Sequence, residues 1–93
     1  MNFVWDEAKN AANRAKHGIG FEDAISVFED ALITDEDSTK PEHGEIRRKA
    51  IGKAGSVIVA VIYTDRPGQR RIISARRARR NERIHYGHRE HTG

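Results

Sequence analysis

From Val57 to Tyr63 the chain reads VIVAVIY, apolar at every position. A strand with no polar face is covered on at least one side, so this segment predicts a central strand of a sheet. Its surroundings predict a hairpin, with arms Glu45–Gly52 and Ser56–Thr64 around a turn at Lys53–Gly55. A second turn, Asp65–Gly68 with Pro67 inside it, leads to a further strand, Arg70–Arg76. Regular alternation places Arg71, Ile73 and Ala75 on one side of that strand and Ile72, Ser74 and Arg76 on the other.

Helical spacing marks the two ends. After a short strand, NFVW, Asp6 can cap a helix and Glu7 favours its first turn. Trp5, Ala8, Ala12 and Ala15 fall near one face of that helix. Gly18 suits the left-handed position that ends it, with Ile19 packing back. Phe21, Ala24, Ile25 and Phe28 follow the i, i+3, i+4, i+7 rule of a second helix, with Gly20 at its N-cap. Ala31–Thr34 reads as a short strand and Asp35–Gly44 as a polar loop. RRARRNERIHY reads as a last helix. The expectation is one α+β domain over residues 1–87, followed by a frayed tail, 88–93. Its small antiparallel sheet is packed on one face by two N-terminal helices and one C-terminal helix.

Composition narrows the class. No apolar run approaches the roughly 20 residues of a membrane span. The N-terminus lacks a basic stretch followed by an apolar one, so no secretory signal is expected, and the cytoplasm is the simplest compartment. The chain has no cysteine, which removes disulfides and thiolate metal sites. Charge is split: residues 1–45 hold 4 Lys/Arg and 11 Asp/Glu, whereas residues 46–93 hold 13 Lys/Arg and 3 Asp/Glu. Eleven of the twelve arginines lie in the second half. Guanidinium binds phosphate bidentately and stacks on bases, so this bias points to RNA or DNA.

Candidate chemistry gathers in a few places. Arg76, Arg80 and Arg83 form one stripe of the last helix, and Ala75, Ala78, Glu82 and Tyr86 another. Glu82 reads either as a partly buried ion pair to a nearby arginine or as a catalytic acid. Glu45 and Arg47 share a face of the hairpin. They would meet Arg71 or Arg76 if that arm flanks the strand Arg70–Arg76, as a salt bridge or as a general base among cations. His17 can transfer protons near neutral pH or complement the helix C-terminus. Trp5 and Tyr63 read as core or sheet-edge residues rather than base-stacking platforms. The pair Asp35/Asp37 and the series His85, His88, His91 do not make convincing metal sites, and no cofactor motif is present.

The motifs together resemble the BrnT toxin family. They run Trp5-Asp6, Lys9, Asn13, Lys16-His17-Gly18, Phe21-Glu22 and Val27-Phe28, then His43, Glu45, Arg47 and Ile51-Gly52. They end with Tyr63-Thr64, Arg71-Ile72-Ile73-Ser74-Ala75-Arg76, Ala78, Glu82 and Tyr86. The resemblance implies a RelE-like ribonuclease toxin of a type II toxin–antitoxin system that cuts RNA and inhibits translation. It implies a BrnA antitoxin with a ribbon-helix-helix region, which neutralises the toxin. Together they repress their own operon, so operator DNA is met only through the complex. Such a metal-independent ribonuclease needs a base, an acid and cations at the phosphorane. Arg71 and Arg76, assisted by Arg47, are the candidate cations; His17 and Glu45 are the proton-transfer candidates. Lys16, Arg77, Arg80 and Arg83 are candidates for RNA binding, the three arginines equally for the antitoxin. Two rival readings stay open: a nucleic-acid-binding regulator without catalysis, and an interaction module whose basic surface receives an acidic partner.

Overall fold

A computed structural model describes residues 1–92, with side chains described through residue 87. Its five strands are β1 (Asn2–Val4), β2 (Thr34–Asp37), β3 (Arg48–Ala54), β4 (Val57–Arg66) and β5 (Gln69–Arg77). Its helices are α1 (Glu7–His17), α2 (Phe21–Ala24) and α3 (Arg80–Thr92). The strands lie in the order β1-β5-β4-β3-β2, so β4, which carries the apolar run Val57–Tyr63, is central as its composition predicts. All pairings are antiparallel except β1 with β5, which is parallel. The helices do not share one face. On one side α1, α2 and the following 3₁₀ turn Ile25–Glu29 cover a core of Phe21, Val27, Val59, Val61, Tyr63 and Ile72. On the other, α3 covers a smaller cluster of Ile51, Ala60, Ala78 and Tyr86. A strand apolar on both faces requires this second cover.

The first helix begins as its cap predicts, with the Lys9 N–H donating to Asp6 Oδ1 at 3.0 Å. It ends at Gly18 with φ +72°. Its inner face, however, is built of asparagines. Ala8, Ala12 and Ala15 are exposed, whereas Asn10 and Asn13 are buried. Asn10 Oδ1 accepts from the Phe21 N–H at 2.8 Å, and its amide donates to Glu22. Asn13 donates to the carbonyls of Ile19 and Ala75 at 2.9 and 2.7 Å and accepts from the Ala75 N–H at 3.1 Å. β1 pairs with β5 only through Arg71, so Asn13 fills the place of a neighbouring strand beyond it. Alanine spacing cannot reveal a helix docked by hydrogen bonds.

Three further expectations are corrected. The helix expected over Phe21–Phe28 is α-helical only to Ala24 and tightens to 3₁₀ beyond it. This turn crosses β3 at Gly52, where a Cβ would lie 3.1 Å from the Val27 carbonyl oxygen. The strand expected at Ala31–Thr34 lies instead at Thr34–Asp37, inside the supposed loop. Cross-strand pairs make its charges tolerable: Asp35 with Arg48 at 2.6 Å and Glu36 with Lys49 at 2.8 Å. Finally, the alternation along β5 breaks. Ile62 faces Ser74 and Tyr63 faces Ile72, which leaves Ile73 without a partner in a bulge. Ile72 and Ala75 therefore both enter the core, and Arg71, Ser74 and Arg76 share the opposite face. The expected tail, 88–93, and the side chains of His88 and His91 lie outside the described residues.

Candidate active site

The bulge faces a cavity of about 370 Å³ on the α3 side of the sheet. Ile62, Ile73 and Ser74 line it from β4 and β5. Around them stand Lys40, His43, Arg47, Lys49, Arg76 and Arg79, with no carboxylate in the lining among the described residues. Arg47 arrives from the segment before β3, whose backbone is tied to the loop. Its N–H donates to Thr39 Oγ1 at 2.9 Å, and its carbonyl accepts from the Ser38 N–H at 2.8 Å. Its Nε donates to Glu45 at 3.0 Å, which leaves the two terminal nitrogens for a ligand. His43 accepts from the Lys40 N–H through Nδ1 at 3.2 Å, so Nε2 is its free nitrogen.

Arg76 and Lys49 are held by Glu82, which is only 4% exposed. Arg76 donates to both carboxylate oxygens, at 2.8 and 3.0 Å, and Lys49 Nζ lies 2.7 Å from Oε2. The Arg79 N–H donates to Oε1 at 2.7 Å, so the same carboxylate caps the start of α3. The Arg76 hydrogen bonds hold the Glu82 carboxyl far below the usual carboxylate range, against its burial. The Arg76 pKa is raised by that pairing. Burial works against the Lys49 charge, but hydrogen bonds to Glu36 and Glu82 outweigh it and raise its pKa. Both cations stay charged through the physiological range. The ion-pair reading of Glu82 is thus the observed one.

The structure brings Arg47 and Arg76 together, though not as neighbours on adjacent strands. β4 lies between β3 and β5, and the two side chains meet across the cavity above it. Glu45 stands beside the cavity, 3.0 Å from Arg47 and 3.8 Å from Arg66. Arg71 is on the same sheet face opposite Thr64 but does not line the cavity. Lys16 and His17 line a second cavity with Lys9, Ala12 and Asn13 of α1. It shares Ile73 and Ser74 with the first, so the bulge joins the two. Arg77 and Arg83 line a third cavity, by Ser56 and Ile58, and Arg80 is exposed at the start of α3. Trp5 and Tyr63 pack in the core, Trp5 edge-on to Phe21. Tyr63 also hydrogen-bonds Asp35; burial, then that bond, pushes its phenol up to about 12.

Ser38, Lys40, His43, Lys49 and Arg79 are the polar lining residues that sequence reasoning missed. His43 stands in a matched motif, and Lys49 lies two residues after Arg47. Nothing in the chain's pattern singles out Lys40 or Arg79. Among the described residues no three His, Asp or Glu side chains converge as a metal site would require. Among the described residues no helix is long and apolar enough to cross a membrane.

A search of curated proteins gives no match to the chain. A family model matches residues 5–82, and its description is ribonuclease toxin, BrnT, of type II toxin-antitoxin system.

Proposed function

The chain belongs to the BrnT family of ribonuclease toxins of type II toxin–antitoxin systems, and from that premise we propose that it cuts RNA in the cationic cavity beside α3. The observation that carries this reading is the convergence of Arg47, Lys49 and Arg76 on one cavity with His43 at its edge. Cleavage needs the ribose 2′-oxygen to attack phosphorus while the bond from phosphorus to the 5′-oxygen breaks. Positive charge fixed in advance around the phosphate stabilises the dianionic phosphorane without reorganisation. Arg47 and Arg76 take that role, with Lys49 beside them. His43 Nε2 exchanges protons with the reacting oxygens, and Glu45 either shares that task or orients Arg47. His17 and Lys16, across Ile73 and Ser74, meet the same strand further along, and Arg71 reaches it from the open end of the face. Arg77, Arg80 and Arg83 lie away from the cavity and contact RNA backbone or the antitoxin.

In this reading the toxin acts in the cytoplasm, and RNA cleavage halts translation. A BrnA-type ribbon-helix-helix antitoxin holds the toxin inactive, and the complex represses the shared operon. The test is product analysis with purified protein and an end-labelled single-stranded RNA. Expected products end in a 2′,3′-cyclic phosphate and a 5′-hydroxyl, and a single 2′-deoxy substitution before the cut abolishes cleavage. Protein that retards RNA but never cuts it would instead establish the non-catalytic regulator.

A further inference from the structure

A separate cavity of about 330 Å³ lies between α3 and the β2–β3 edge. Lys49 lines both it and the cationic cavity, so the two adjoin at that side chain. Their linings differ in kind. Among the described residues the cationic cavity has no carboxylate. This one has an apolar wall, Ile51, and a polar surround of Thr34, Asp35, Glu36, Asn81 and His85, with Glu82 at the Lys49 side. Asp35 is already paired with Arg48. Three carboxylates repel a phosphate. An uncharged planar group meets an apolar surface, a ring and several hydrogen-bonding atoms, the usual make-up of a small-molecule pocket.

We propose that this cavity is a nucleobase subsite, which takes the base next to the phosphate gripped by Arg47, Lys49 and Arg76 and favours bases that carry an exocyclic amino group. The inference rests on the RNA-cleaving reading of the neighbouring cavity. Asn81 and His85 are four residues apart on α3 and present one side of the helix to the cavity. Both are exposed, and their side chains make no hydrogen bond among the described residues. Their polar groups and the imidazole ring are therefore available to a ligand. An unstacked RNA base is recognised in this way, by stacking on a ring such as histidine's and by hydrogen bonds to its edge. The charge pattern supplies the preference. Glu36 Oε1 lies 2.8 Å from Lys49, and its other oxygen can accept from an amino group. Adenine, cytosine and guanine offer such a donor. Uracil offers a carbonyl oxygen in its place and meets the carboxylate with like polarity.

The test measures binding, so that it does not depend on cleavage. Tetranucleotides of uridine, made uncuttable by 2′-deoxy substitution, are compared with versions carrying one adenine, cytosine or guanine at each position in turn. At one position the amino-bearing bases are expected to bind about tenfold tighter, the scale of one well-placed base contact. The double variant Asn81→Ala/His85→Ala, at exposed positions that leave the fold intact, is expected to lose most of that preference. Glu36→Gln is expected to narrow the gap between uracil and the others. Equal affinity for all four bases in the wild type overturns the subsite, as does a preference that survives the double variant. Cleavage without base preference would leave the RNA-cleaving reading standing alone. Base preference without cleavage would leave the subsite standing and remove that reading.

Discussion

Glu82 shows how one side chain can serve fold and site together. Its carboxylate caps α3 and fixes Arg76 and Lys49 at the cavity. Removing one partner of so buried a pair is typically costly, about 3–5 kcal/mol, because the remaining charge is uncompensated. Its pKa is depressed in the folded chain, with Arg76 the main cause. The stability this provides is therefore complete above the unfolded glutamate value and lost as pH falls below it. The expectation is that the Tm of the wild type drops more steeply than that of Glu82→Gln between about pH 6 and about pH 3. Parallel curves in thermal denaturation would remove Glu82 from the account of acid lability. Much of this residue's position is legible in the sequence, since i+3 and i+4 steps set it beside Ala78 and Tyr86 and apart from the basic stripe. Lys49 and His43 are less legible. They join Arg76 only through the order of strands and the path of a loop, which one-dimensional spacing does not encode.

At the scale of elements, two departures from regular pattern build the site. One is the bulge at Ile73, which turns Arg71 and Arg76 to the same face. Ile73, beside a second isoleucine, carries no local mark of a bulge, so regular alternation is the natural reading and it fails here. The other is the asparagine face of α1. Asn13 closes the free edge of β5 beside that bulge with two hydrogen bonds to Ala75 and ties in the Ile19 carbonyl with a third. Asn13→Ala leaves a buried N–H and carbonyl of Ala75 without this partner, an expected loss of about 2 kcal/mol. In a domain of this size that corresponds to a Tm lower by roughly 8–16 °C. A Tm within two or three degrees of the wild type would mean that α1 is docked by something other than these bonds. By contrast, the Asp6 cap, the Gly18 stop and the β3–β4 hairpin follow from local chemistry, and the sequence shows them plainly. β2 is hidden for a different reason: TDED reads as loop until the pairing of Asp35 and Glu36 with Arg48 and Lys49 is known.

At the scale of the molecule, the acidic first half and basic second half are partly folded onto each other. The pairs Asp35–Arg48, Glu36–Lys49 and Glu45–Arg47 join the two halves within one chain. This weakens the case for a second copy as the partner of the basic surface. What remains for other molecules is the cationic cavity and the arginines around it that have no carboxylate partner among the described residues. Removal of a phosphate contact lowers the salt slope of single-strand binding by about 0.7. Arg47→Ala is expected to show that decrement in a titration of RNA affinity against salt, and an unchanged slope would place Arg47 away from phosphate. In cells, induced expression is expected to arrest growth, and co-expression of the proposed BrnA-type antitoxin to restore it. Arrest that persists with the antitoxin present would contradict the proposed neutralisation.

The most direct measurement is the rate at which purified Arg47→Ala cuts single-stranded RNA, relative to the wild type, with Tm recorded for both. Arg47 makes a partly exposed pair with Glu45, the kind worth at most about 1 kcal/mol, so the variant should fold normally. Loss of one stabiliser of transition-state charge is expected to slow cleavage by about 10²–10³. A folded Arg47→Ala that cuts RNA at the wild-type rate would show that the cationic cavity is not where the chemistry occurs.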